Sequence, residues 1–232
     1  MSRQIIYVPA NSPDVWQTFL ADPQLQWKTG YSARTLAYAW HAQEGLPPEV
    51  DSLFKQSDFT PFHDVTPLLV LPEYQVQLAG RGNDSQNDLF VLAKANDQRL
   101  MSVTIEGKVE ESFGSTLSNW KRSGKGFSEN KQMRLSYLQE QLGLERVPDS
   151  IYYQLLHRCA SAIIEARRFN APYAVMLVHS FSLQGSWFDE YAEFVALYGQ
   201  EIVKDKLFHL ASLRGVELYS GWVIGNPKYL SL

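Results

Sequence analysis

Asn87-Asp88-Leu89-Phe90-Val91-Leu92-Ala93, followed after a polar turn by Leu100-Met101-Ser102-Val103-Thr104-Ile105-Glu106-Gly107-Lys108, is the stretch whose reading decides the fold. Both halves are short strand-like runs, and Asn96-Asp97 supplies turn residues between them, so the pattern predicts a β-hairpin. Strand side chains repeat with period two. Thr104, Glu106 and Lys108 therefore share one face, and Val103 and Ile105 the other. Because a hairpin returns to its origin, Asp88 at the start of the first strand is expected beside Glu106 and Lys108 at the end of the second. Two carboxylates and an ammonium on a rigid sheet edge suit a hard divalent cation and the stabilisation of charge on phosphate.

Outward from the hairpin, Ser32 is expected to cap a helix running to Gln43, stopped by Gly45-Leu46-Pro47-Pro48. Glu49 to Phe54 reads as a short helical return. Leu68 to Pro72 and Tyr74 to Leu78 give an interrupted strand, and the polar run Gly80 to Asn87 leads into the hairpin. Beyond it, Asn119 to Asn130 reads as a glycine-bearing polar connection. Ser128 caps a helix that Gly143 ends, and the longest helical signal starts at Asp149 or Ser150 and reaches Phe169. Tyr173 to His179 is a buried strand, Phe188 to Leu197 a helix, and Leu218 to Ile224 one more strand anchored by Trp222. This order predicts one α/β domain over residues 1–232, a mixed central sheet flanked by helices. Its core is expected at 32–180, with a helix-and-strand extension over 181–232.

The chain has 232 residues, 45% of them hydrophobic, enough to bury a sizeable core. Its net charge of −4 argues against a nonspecific nucleic-acid coat, whose affinity comes from neutralising phosphates. A locally basic surface with metal-neutralised carboxylates is compatible with it. The start of the chain has too short an apolar run for a signal peptide, and the longest apolar stretch, Ala174 to Val178, is too short to cross a bilayer. No membrane association and cytoplasmic residence are the expectations. The lone Cys159, within an apolar helical pattern, excludes an intrachain disulfide and reads as core. No histidine pair has helical zinc spacing, and Ser180 lacks the glycines of a nucleophile elbow.

The element order and the Asp88…Glu106-Gly107-Lys108 pattern resemble the restriction-endonuclease-like fold and its PD-(D/E)xK nuclease superfamily. Ile151-Tyr152-Tyr153-Gln154-Leu155-Leu156-His157-Arg158 also resembles uncharacterised bacterial proteins placed in that class. The resemblance spans roughly Ser32 to His179 and departs at Asn87, where the family usually has proline. It implies that Asp88 and Glu106 bind Mg²⁺ (or Mn²⁺) and that Lys108 positions the attacking water, for phosphodiester hydrolysis of DNA. The alternatives are a solvated, charge-paired strand end and a noncatalytic nucleic-acid- or protein-binding module. A homodimer would match two sites to two strands.

Several residues are candidates for positioning the substrate. Gln154 and Arg158, four apart on the long helix, can face the site together; some relatives of that class have a glutamine there, followed by a tyrosine where this chain has Arg158. The other reading for both is helix-surface packing. Lys121, Arg122, Lys125 and Lys131 around Gly124 and Gly126 form a basic segment able to meet a phosphate backbone, with Trp120 stacking on a base; the alternative is a solvated connection with the tryptophan tucked in. Glu44 reads as a surface acid, His179 as a satisfied structural histidine, and Glu129-Asn130-Lys131, a second acid-x-lysine triplet, as a helix start.

Overall fold

A computed structural model describes residues 10–124 and 126–232. Six strands, β1 (Thr66–Val76), β2 (Ser85–Lys94), β3 (Leu100–Lys108), β4 (Tyr173–Ser180), β5 (Leu207–Leu213) and β6 (Val216–Ile224), form one mixed sheet in the order β1-β2-β3-β4-β6-β5. Among the described residues seven α-helices accompany them: α1 (Pro23–Gln26), α2 (Ser32–His41), α3 (Pro48–Lys55), α4 (Leu117–Arg122), α5 (Glu129–Leu142), α6 (Tyr153–Arg168) and α7 (Phe188–Ala196). The α/β class with a helix-flanked mixed sheet is as expected.

The β2–β3 hairpin forms as the alternation predicts, antiparallel with Leu89 opposite Ile105. Asp97 Oδ1 accepts from the Arg99 N–H at 3.1 Å, and Ala95 N–H donates to the Arg99 carbonyl at 2.8 Å, closing the turn. From β3 the chain crosses over through α6 to parallel β4, which pairs in parallel with β6. Beyond residue 180, β6 and β5 continue the sheet past β4. Burial divides by strand face. Val103, Ile105, Val175 and Leu177 pack with Trp40, Leu53 and Phe54 of α2 and α3; Met176, Val178, Leu218 and Trp222 pack with α5, α6 and α7. Among the described residues no helix is long and apolar enough to cross a membrane.

Some boundaries differ from expectation, each for a physical reason. Tyr31, not Ser32, is the N-cap of α2 and caps nothing with its side chain; the Glu111 carboxylate accepts the Ser32 N–H instead, at 2.8 Å. Residues 149–152 are not the first turn of α6. Ile151 N–H donates to the Pro148 carbonyl at 3.2 Å, closing a turn, and Leu117 and Ser118 donate to the Ile151 and Asp149 carbonyls, so this turn is held beside 115–118 with Tyr152 bridged to Thr116. The expected connection contains α4, capped by Thr116 Oγ1 on the Asn119 N–H. β5 was invisible to alternation because a bulge at His209/Ala211 breaks its period. By contrast, α5 starts and stops where Ser128 and Gly143 place its ends, with Gly143 left-handed at φ 67°.

β4 lies inside the sheet with all of its residues buried. Leu177→Ala, at a fully buried position, is expected to lower unfolding free energy by about 2–5 kcal/mol. The exposed Leu183→Ala should change it by less than about 0.5 kcal/mol. Urea denaturation of the two variants checks the contrast.

Candidate functional site: a carboxylate–cation cluster at the sheet end

Pairing Leu89 with Ile105 brings Asp88 of β2 alongside the Glu106–Lys108 end of β3. Asp88 Oδ2 accepts the Gly107 N–H at 2.8 Å. The position is tightly packed: a Cβ there would lie 3.2 Å from Leu36 Cδ2 of α2, which would have to give by a few tenths of an ångström, and in ordinary contact, 3.5 Å, with Asp88 Oδ2.

Glu106 and Lys108 point the same way, as two-residue spacing requires, and both are almost fully buried. Glu106 Oε1 accepts from Lys108 Nζ at 2.5 Å, and Oε2 from Arg158 Nε at 2.5 Å. Helical spacing sets Gln154 and Arg158 on one side of α6, turned to the same point. Gln154 Oε1 lies 3.4 Å from Lys108 Nζ, and Arg158 reaches Ser85 Oγ at 3.4 Å and Asp88 Oδ1 at 3.7 Å. The Lys108 ammonium also sits 4.7 Å from the Phe113 ring centre. Arg158, only 8% exposed, is thus a core ion-pair partner rather than a helix-surface residue.

One residue of this cluster was not anticipated. Glu73 of β1 lines the same cleft, its Oε2 accepting from Gln86 Nε2 at 2.8 Å. Its backbone is left-handed, φ 51°, and Pro72 precedes it, so the strand alternation that would have flagged it is broken. The remaining signal was the neighbouring pair Tyr74–Asn87, which puts Glu73 level with Asp88. Asn87, where the resemblance expected proline, is fully buried and donates its amide to the Tyr74 and Ser85 carbonyls at 3.1 Å.

Three acids facing two cations leave a surplus of negative charge. Burial, followed by the Glu106 charge, pushes the Asp88 carboxyl up to about 7. Burial, followed by the Asp88 charge, pushes Glu73 up to about 8. Glu106 goes the other way: burial opposes its charge, but Lys108 and Arg158 outweigh that and hold it below the usual carboxylate range. Above these carboxylates opens a cleft of about 410 Å³, whose rim includes Leu20, Tyr31 and Glu111. Its all-oxygen acidic donors suit a hard cation such as Mg²⁺ in kind. Asp88 and Glu73 are less tightly paired than Glu106, both of whose oxygens are engaged. Among the described residues, no three His, Cys, Asp or Glu side chains are already arranged as a metal-ligand set.

The other candidates lie elsewhere. Lys121 pairs with Asp149 at 2.6 Å, Arg122 donates to Asn119 at 2.8 Å, and neither lines the cleft. Lys125 lies outside the described residues. Lys131 Nζ donates to the Trp120 and Ser123 carbonyls at 2.6 Å, closing the end of α4, and Trp120 stacks on Tyr153 at 4.2 Å. Glu44 is exposed. His179 is buried, with Trp40 Nε1 donating to Nδ1 at 3.3 Å and Glu49 3.2 Å from Nε2, as a structural histidine should be. Cys159 is core, and burial pushes its thiol pKa up.

Fold and site together define an α/β protein with a buried carboxylate–cation cluster at the end of a mixed sheet. A family model described as "Domain of unknown function (DUF6946)" matches residues 9–227, and the chain belongs to that family. No curated protein and no solved structure matches the chain.

Acids whose folded pKa values are raised hold protons that the unfolded chain has released, so their contribution to stability falls as pH rises from the unfolded values through the folded ones. For Asp88 and Glu73 that window runs from their ordinary 3.8 and 4.5 up to about 7 and about 8. Glu73→Gln should therefore gain steadily on the wild type in Tm between about pH 5 and pH 8, measured by differential scanning calorimetry in EDTA. A pH-independent offset between the two proteins would contradict the charge surplus.

Proposed function

We propose that this protein is a divalent-metal-dependent nuclease that hydrolyses phosphodiesters of DNA. The observation that carries the reading is the convergence of Asp88, Glu106 and Lys108 on one cleft, from the strand positions expected of a PD-(D/E)xK centre. The surrounding order supports it: a helix, an antiparallel β1-β2-β3 meander, α6 crossing to parallel β4, and Gln154 on α6 touching Lys108. We take this order to be that of a restriction-endonuclease-like core. The described chain has no helix suited to crossing a membrane, and we place the activity in the cytoplasm.

In this reading Asp88 and Glu106 would hold Mg²⁺, or Mn²⁺, with Glu73 beside them. A cation so bound supplies a polarised phosphate and a more acidic water. Lys108, fixed between Glu106 and Gln154, presents its ammonium to the attacking water or to charge growing on the phosphorus oxygens. Arg158 offsets part of the carboxylate charge and keeps Glu106 ionised. Gln154 restrains the Lys108 side chain, leaving one ammonium N–H for the cleft.

One feature favours a second reading, a noncatalytic binding module on the same fold. Both oxygens of Glu106 are engaged by Lys108 and Arg158, an arrangement that is complete without a metal. A divalent-metal screen on supercoiled and linear DNA and on RNA separates the two. The nuclease reading expects cleavage that requires Mg²⁺ or Mn²⁺ and falls by at least about 100-fold in Lys108→Ala and Glu106→Ala. Products that persist in both variants, or no products with any metal, would leave the binding module.

A further inference from the structure

Beside the catalytic cleft lies a second groove, of about 450 Å³, between the loop 80–83, the end of α4 and the first turns of α5 and α6. Three cations line it, Arg81, Lys131 and Arg134, together with the stacked Trp120 and Tyr153; no Asp or Glu does. Among the described residues none of these cations has a carboxylate within ion-pair distance.

Arg134 is the unusual member. It is only 7% exposed, and a buried guanidinium without a counter-ion is costly. Its Nε donates to Tyr153 Oη at 2.8 Å and its Nη2 to the Asn83 carbonyl, which leaves Nη1 with no acceptor among the described residues. Nη1 lies 3.2 Å from where a Cβ on Gly82 would stand, and Gly82 has φ 133°, so the glycine keeps that side of the guanidinium uncovered. The loop is held in place from both sides: Asn130 accepts the Arg81 N–H at 2.6 Å and donates to the Arg81 carbonyl at 2.8 Å. Exposed Arg81 stands at the mouth of the groove. The groove is thus a fixed, carboxylate-free cradle with a buried, incompletely satisfied cation, and such a cradle is completed by an anion.

We propose that this groove is an anion subsite that takes a backbone phosphate of a nucleic-acid strand whose neighbouring phosphodiester lies in the cleft, an inference that rests on the nuclease reading for the identity of the strand. The two pockets meet on α6, where consecutive residues serve them: Tyr153 lines the groove and Gln154 the cleft. A strand crossing the start of α6 passes from Lys108 and Arg158 to Arg134 and Arg81. The groove end of that path is lined by cations with no acid among them, in a protein whose net charge is −4. Affinity is therefore local to this track and dependent on salt.

The test is binding, separate from cleavage. An end-labelled single-stranded oligodeoxynucleotide is titrated in EDTA by fluorescence anisotropy across a salt series, with pyrophosphate as competitor. Arg81→Gln alters an exposed residue and leaves the core intact; Arg134→Gln removes the buried cation, its folding checked by circular dichroism and Tm. Each is expected to weaken binding roughly ten-fold and to flatten the log–log salt slope by about 0.7, the value for one lost contact to a single strand. Lys55→Gln, on the opposite face of the sheet, should bind as the wild type does. Unchanged affinity and slope in Arg81→Gln and in folded Arg134→Gln overturns the proposal, as does a wild type that binds pyrophosphate but no oligonucleotide. An inactive protein that still binds through Arg81 and Arg134 sinks hydrolysis and keeps the groove; an active one indifferent to both residues does the reverse.

Discussion

The Glu106 carboxylate, held between the Lys108 ammonium and the Arg158 guanidinium with almost no access to water, is the contact around which the end of the sheet is organised. Taking an ion out of water costs several kcal/mol even after relaxation, and mutual attraction offsets this only when the geometry is good and the remaining donors and acceptors are used. Here both carboxylate oxygens have a charged donor, and the two cations find further partners in Gln154, Asp88 and Ser85. The contact also crosses layers. Lys108 and Glu106 belong to β3 and Arg158 to α6, so the pair fixes the helix against the sheet, aided by Thr104 Oγ1 donating to the Arg158 carbonyl at 3.1 Å. The helix in turn positions Tyr153 and Gln154, the residues that line the two pockets.

From that arrangement the character of the cleft follows. With both cations held at 2.5 Å by Glu106, Asp88 keeps the Gly107 N–H and a looser contact with Arg158 at 3.7 Å, Glu73 keeps the Gln86 amide, and their negative charge is expressed towards the open side. The centre is therefore divided into a saturated inner pair and an under-neutralised outer pair. Gly107 eases this arrangement at a strand end packed under α2, because a Cβ there would press on Leu36.

The parts of this picture that depend on local periodicity could be read from the sequence. The hairpin turn at Asn96-Asp97, the common face of Glu106 and Lys108, and the caps of α5 are all set by neighbours within a few residues. Contacts distant in sequence hid the rest. Asp149 to Tyr152 looked helical but pairs with the segment at 115–118. Arg158 could be placed near the site, yet its depth depends on Glu106 lying opposite, fifty-two positions earlier. Glu73 was concealed by its own positive φ, and the bulge in β5 erased the alternation that marks a strand. The basic run at 121–131 read as one surface, whereas Lys121 and Lys131 are engaged in holding α4 and its surroundings together.

Whether the Glu106–Arg158 pair unites sheet and helix as described is tested most directly by a double-mutant cycle on unfolding free energy with Glu106→Gln, Arg158→Met and the combined variant. Each single change breaks the buried Glu106–Arg158 contact and leaves the surviving groups with unbalanced charge, at an expected cost of about 3–5 kcal/mol. Because the double variant removes both charges, its loss should fall short of the sum by about 2–3 kcal/mol. Losses that simply add, to within about 0.5 kcal/mol, would contradict the coupling on which this account of the site is built.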